Sequence, residues 1–149
     1  MKRKPGVTKI AALAAVVMGA SFTVVGTSNA GTGTVTKADL SGPWQMTLSG
    51  ITGCGLVSMQ ANFTLDTSGV ATNAVLKTHG QCGDATVSGL NFTVFTLNAN
   101  GSGTANLTCG VGCGWNLNIQ VSSDRATFNA IDVDPVNPNN FIAGVAIHQ

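Results

Sequence analysis

The sequence predicts an all-β domain: an eight-stranded antiparallel up-and-down meander closed into a barrel, with a β-sandwich as the alternative packing of the same strands. Three observations predict it. Apolar residues recur with period two through most of the chain, as in Trp44, Met46 and Leu48 against Gln45, Thr47 and Ser49. Turn residues separate these runs at short intervals, including Thr67-Ser68-Gly69, Asn100-Gly101 and Ser123-Asp124-Arg125. Helix formers are scarce: there is no Glu, and Lys plus Arg number seven in 149 residues, whereas Thr, Val and Asn are abundant.

Residues 1–30 have the three parts of an export signal. Lys2, Arg3, Lys4 and Lys9 form a positive end, Ile10 to Ala20 is an apolar run, and Ser28-Asn29-Ala30 places small residues at the cleavage-reading positions. The apolar run is too short for a spanning helix of about 20 residues. Cleavage after Ala30 is therefore expected, with a secreted or periplasmic product and no membrane anchor. Residues 31–42 are small and polar and read as a flexible, extended leader, and 43–149 as a single β domain. Beyond Ala30 the charges are Lys37, Lys77 and Arg125 against six Asp, a net of −3. So few cations provide no footprint for a nucleic acid or for anionic lipid.

The strands are expected near 43–49, 56–66, 70–79, 86–97, 102–109, 114–121, 126–133 and 140–148. In the second, Val57, Met59, Ala61, Phe63 and Leu65 alternate with polar residues; in the sixth, Trp115, Leu117, Ile119 and Val121 do so. Gly89 suggests a bulge in the fourth, and a change of phase between Phe128 and Ile131 suggests another in the seventh. In the eighth, Phe141, Ala143, Val145 and Ile147 share one face. A meander sends alternate loops to opposite ends, so Cys54, Cys82, Cys109, Cys113, His79, Asp84, Asp132, Asp134 and Asn137-Pro138-Asn139-Asn140 gather at one end.

Four cysteines in an exported chain imply disulfides. Three pairings exist; the favoured one is Cys54 with Cys82 and Cys109 with Cys113. The first closes about 29 residues and removes roughly 3.6 kcal/mol of unfolded-state freedom, and the second, within Cys109-Gly110-Val111-Gly112-Cys113, closer to 2 kcal/mol. A thiolate metal site with His79 is the rival, but zinc sites present closer ligand pairs. His79 and His148 fall at opposite ends. Asp132 and Asp134, with Asn137, Asn139 and Asn140, offer hard oxygen ligands for Ca²⁺ without matching a calcium-loop spacing. No cofactor is implied. Catalysis has no motif behind it: there is no Gly-x-Ser-x-Gly turn, no His-Glu-x-x-His and no Glu to serve as a tuned acid or base.

Gly42-Pro43-Trp44, with the strand count, resembles the Gly-x-Trp start of the calycins, the lipocalin and avidin-like barrels. The resemblance implies Trp44 at the closed end and the cysteine-bearing loops around a ligand mouth. The lack of Tyr and the presence of only two Trp argue against biotin as that ligand. The expected function is non-enzymatic: binding of a small apolar ligand at the disulfide-rimmed end, with Trp44, Met46, Met59, Phe63, Phe92, Trp115 and Phe141 lining or filling the interior. The alternative is a structural surface or filament subunit that self-assembles by donating residues 31–42 as a strand.

Overall fold

A computed structural model describes residues 33–108, 114–133 and 140–149. Eight strands follow one another: β1 (Gly42–Thr52), β2 (Gly55–Leu65), β3 (Val70–Gly80), β4 (Gly83–Leu97), β5 (Ser102–Thr108), β6 (Gly114–Val121), β7 (Thr127–Asp132) and β8 (Phe141–His148). Each pairs antiparallel with the next, and β8 returns to β1 from Trp44↔His148 to Ile51↔Phe141, closing the barrel. The eight strands and the closed meander are those expected, and the sandwich is not formed.

Alternation decides which face is inside. Trp44, Met46 and Leu48 of β1, Met59, Ala61, Phe63 and Leu65 of β2, and Leu117, Ile119 and Val121 of β6 are buried. The outward residues between them are Thr, Ser, Asn and Gln, such as Ser58, Gln60 and Asn62. A membrane-spanning barrel has the reverse arrangement, with lipid-facing apolar residues and a polar lumen. The interior is filled rather than hollow. Phe63 stacks on Phe92 at 4.6 Å, Phe92 lies 6.0 Å from Phe128, and Phe128 lies 5.0 Å from Trp44, all between ring centroids.

Bulges accommodate the curvature. Between Ala71↔Phe92 and Ala74↔Leu90, β3 carries one extra residue, with Asn73 left-handed at φ 61; between Ala74↔Leu90 and Leu76↔Val87 the extra residue is in β4, at Gly89 with φ 76. The bulge expected from Gly89 is thus present. The one expected in the seventh strand is not, because β7 pairs without interruption on both sides. Its apparent change of phase came from reading Ile131 as a core residue. Ile131 points outward, and Phe128, Ala130 and Asp132 point inward.

The eighth strand also presents the opposite face from that expected. Partners in an antiparallel ladder share a face, so Met46↔Ala146 and Leu48↔Gly144 turn the even-numbered residues of β8 inward. Ile142 and Ala146 are fully buried, whereas Phe141, Val145 and Ile147 are exposed. Size explains the choice, since the large β1 side chains need small ones opposite. At Gly144 the β1 backbone itself is the obstacle, since a Cβ there would collide with the Thr47 carbonyl and lie 2.8 Å from the Leu48 Cα.

Residues 36–42 are not an extended leader. Lys37–Leu40 form a 3₁₀ turn, and Asp39 Oδ2 accepts hydrogen bonds from the Thr36 N–H and hydroxyl, each at 2.8 Å. Leu40 is fully buried, and its carbonyl accepts the Trp44 Nε1–H at 2.7 Å. Val35 is buried too and is pinned by its N–H to the Ala99 carbonyl at 3.1 Å. This segment stoppers the end opposite the disulfide. The Thr36-x-x-Asp39 spacing, a capping-box pattern ahead of an apolar residue, was the sequence signal for it.

The turns at that closed end are tied by side-chain oxygens. Asp66 Oδ1 accepts from the Ser68 N–H (2.8 Å), the Ser68 hydroxyl (2.6 Å) and the Val70 N–H (2.9 Å); Asp124 Oδ1 accepts from the Ser122 hydroxyl and the Ala126 N–H. Hydroxyl donors first, then amides, hold the Asp39, Asp66 and Asp124 carboxyls below the usual carboxylate range. A depressed folded-state value gives stability that is present above the unfolded value, near 3.9, and is lost as pH falls through the folded value. Thermal unfolding should therefore be insensitive to pH from 7 down to about 5 and fall progressively below about pH 4. An Asp66→Asn/Asp124→Asn variant should start lower at pH 6 and fall less; a fall as steep as that of the parent chain would refute the assignment.

Candidate functional site

The odd-numbered loops meet at the other end of the barrel. There Cys54, after β1, is joined to Cys82, before β4, with Cα atoms 5.4 Å apart. This is the first of the two expected disulfides. Cys109 and Cys113 lie outside the described residues, as do Asp134, Asn137, Pro138 and Asn139. Beneath the disulfide is a cavity of about 170 Å³ lined by Thr52, Val57, Met59, Thr78, Gly80, Trp115 and the disulfide. Its walls come from the inward positions of β1, β2, β3 and β6 at the level where the core residues stop. Trp115 is half-buried there, packed on the core below, and paired across the ladder with Leu107.

The seven residues expected to line or fill the interior divide into three groups. Trp44, Met46, Phe63 and Phe92 are buried in the core and do not line the mouth cavity. Met59 and Trp115 reach the cavity. Phe141 does neither. It stands 56% exposed on the outside of β8, for the register reason given above.

Asp132 also departs from expectation. Its expected position is the end of the seventh strand, as an oxygen ligand beside Asp134; it does end β7, but it faces inward opposite Leu117 and is the one buried charged side chain among the described residues. That places its carboxyl one ladder step below Trp115. Asp134, Asn137 and Asn139, which would complete the expected calcium site, lie outside the described residues. Among the described residues no group of three or more His, Cys, Asp or Glu side chains could hold a metal ion.

The outer wall carries a second polar arrangement. Ladder pairing puts Ser58, His79 and Asp84 in one row across β2, β3 and β4, with His79 Nδ1 bonded to Asp84 Oδ1. The order of groups is that of a hydrolytic triad, but the surroundings are not. The His79 and Asp84 side chains are about three-quarters exposed, and no hydrogen bond joins Ser58 to His79 among the described residues. Neighbouring backbone N–H groups are committed to the ladders, which leaves no donors for an oxyanion and no exclusion of water. The adjoining groove, about 480 Å³, is wider than the mouth cavity but open to solvent and walled by Thr47, Gln60, Lys77 and Thr86. It encloses a ligand less than the mouth cavity does.

No protein-family model, curated protein or solved structure matches the chain. The closed eight-stranded antiparallel barrel, with Trp44 at the stoppered end, is compatible with the calycin resemblance of Gly42-Pro43-Trp44 at the level of architecture. Two features of this end escaped the sequence: the inward carboxyl of Asp132 below the cavity, and the Thr52 and Thr78 walls that keep the cavity from being wholly apolar. Neither has a motif, because each depends on which strand face lies inside at the last ladder rung.

Proposed function

We propose that the protein is an exported, non-enzymatic barrel whose disulfide-rimmed mouth binds one small apolar group. The observation that carries this reading is the cavity walled by Val57, Met59, Trp115 and the Cys54–Cys82 bond. Drug-sized ligands occupy about 300–1,000 Å³, and a dry cavity of about 150 Å³ takes benzene. The cavity volume of about 170 Å³ therefore favours a single ring, a short alkyl group, or the terminal group of a longer molecule that remains outside. Export is supported by the pattern of residues 1–30 and by the disulfide, which persists in oxidising compartments. Membership of the calycins would agree with this use of the mouth. The alternative, donation of residues 31–42 as a strand, would require Val35 and Leu40 to leave the core, which favours the binding reading.

Phenol serves as a probe. Titration followed by ¹H–¹⁵N NMR should shift the Trp115 indole resonance and leave that of Trp44 in place, with a dissociation constant of order 0.1–1 mM for so few atoms. Thr78→Phe, which fills the cavity from its wall, should abolish the shift. An unmoved Trp115 resonance at saturating phenol would refute the reading.

A further inference from the structure

The exposed large apolar side chains of the barrel wall fall mostly on one side, with Val87 and Phe95 of β4 apart from them. Along β8, Phe141, Ala143, Val145 and Ile147 point outward, and pairing widens the stripe: Ile51 lies beside Phe141, Leu56 beside Ile51, and Ile131 beside Ala143. All of the large residues among these are exposed. Together they present about 600 Å² of apolar surface, at the upper limit for one patch on a lone protein. Among the described residues the stripe carries no charge either. Outward positions of β1, β2, β6, β7 and β8 hold no Lys, Arg or Asp, and the charged side chains of the outer wall, Lys77 and Asp84, sit on β3 and β4.

We propose that this face is the contact surface for a second copy of the chain, in a two-fold symmetric dimer. Three properties select a second copy. A neutral face meets itself without like-charge repulsion, whereas a charged partner would find nothing to pair with. A two-fold contact requires one patch to be complementary to itself. Here the large Phe141 stands next to the small Ala143, a ridge beside a notch that an inverted copy can fill. The apolar patch by itself supplies about 600 Å², most of the roughly 800 Å² per partner that a stable interface requires. The mouth lies at the end of the stripe, so pairing along β8 leaves the cavity open and the proposal independent of ligand binding.

Sedimentation equilibrium on protein produced from the full-length sequence should give twice the chain mass, with a dissociation constant of order 1–100 µM. Val145→Lys, in the middle of the stripe, should weaken this at least tenfold; Ile147→Thr, a milder change that keeps a β-branched shape, should weaken it less and serves if the lysine variant does not fold. Phe95→Lys, on the exposed face of β4 across the barrel, should leave the mass at two chains. A parent protein with the mass of one chain at all concentrations would overturn the proposal. So would equal dissociation by Phe95→Lys, or a monomeric parent that cosediments with phosphatidylcholine vesicles through Val145, which would assign the face to a bilayer.

Discussion

Trp44→Ala should lower the unfolding free energy by about 4 kcal/mol, the range for removing a large aromatic side chain from a packed interior. Trp44 is almost fully buried, with its ring 5.0 Å from Phe128 and 4.9 Å from His148. It therefore bridges β1, β7 and β8 at the stoppered end. Its indole N–H also satisfies the buried carbonyl of Leu40. Alanine removes the ring and strands that carbonyl, and with it the grip on the segment that holds Val35 and Leu40 against the core. Trp44→Phe separates the two contributions, keeping most of the ring volume and losing only the donor. It should cost about 1–3 kcal/mol, the range for leaving a buried acceptor unpaired. The readout is urea unfolding with an unchanged slope, so that the midpoint alone moves. Cleavage after Lys37 by trypsin should speed up in Trp44→Ala well before global unfolding, because the stopper detaches first. A loss under about 1 kcal/mol would mean that the closed end is not organised around Trp44.

The interior and the strands were legible where alternation was strong and both neighbours agreed. The second and sixth strands, with four or five apolar residues in step, fell within a residue or so of their observed ends. The eighth strand was not legible from itself. Its odd face is the more hydrophobic, and only the bulk of Trp44, Met46 and Leu48 across the ladder makes Ala146 and Gly144 the inner residues. That is information about a neighbour, not about the strand. Ile131 and Asp132 were misread for the same reason: a hydropathy rule puts the isoleucine inside, whereas unbroken pairing with β6 and β8 puts the carboxylate there. The turns at the closed end carry their chemistry in adjacent residues, and were read correctly. The two inversions share a location. Both fall on β7 and β8, where residues that would ordinarily be buried form the exposed apolar stripe, so the misreading and the proposed contact surface have one cause.

Replacing Cys54 and Cys82 together by Ser should cost roughly 3.6 kcal/mol, nearly as much as Trp44→Ala but by a different route. The bond spans a sequence separation of 28 and ties the β1–β2 and β3–β4 connections. In the folded barrel those connections are already adjacent, because Val57↔Gly80 and Gly80↔Gly83 bring them together through the ladders. The bond therefore adds little to the native state and acts mainly by restricting the unfolded chain. Three consequences separate this from the loss of a core residue. Chemical-shift changes in the double variant should be confined to the cavity walls. The denaturant slope should rise, since an unlinked chain exposes more surface when it unfolds. Reductant added to the parent protein should cause at least this loss, with any contribution of the expected Cys109–Cys113 bond added, yet should leave Trp44→Ala with its own deficit on top. The mouth gives a functional counterpart: the disulfide forms one wall of the cavity, so phenol affinity should fall in the double variant although the fold persists at 25 °C. A parent protein whose unfolding midpoint ignores reductant would place the stabilisation of this end in the ladders alone.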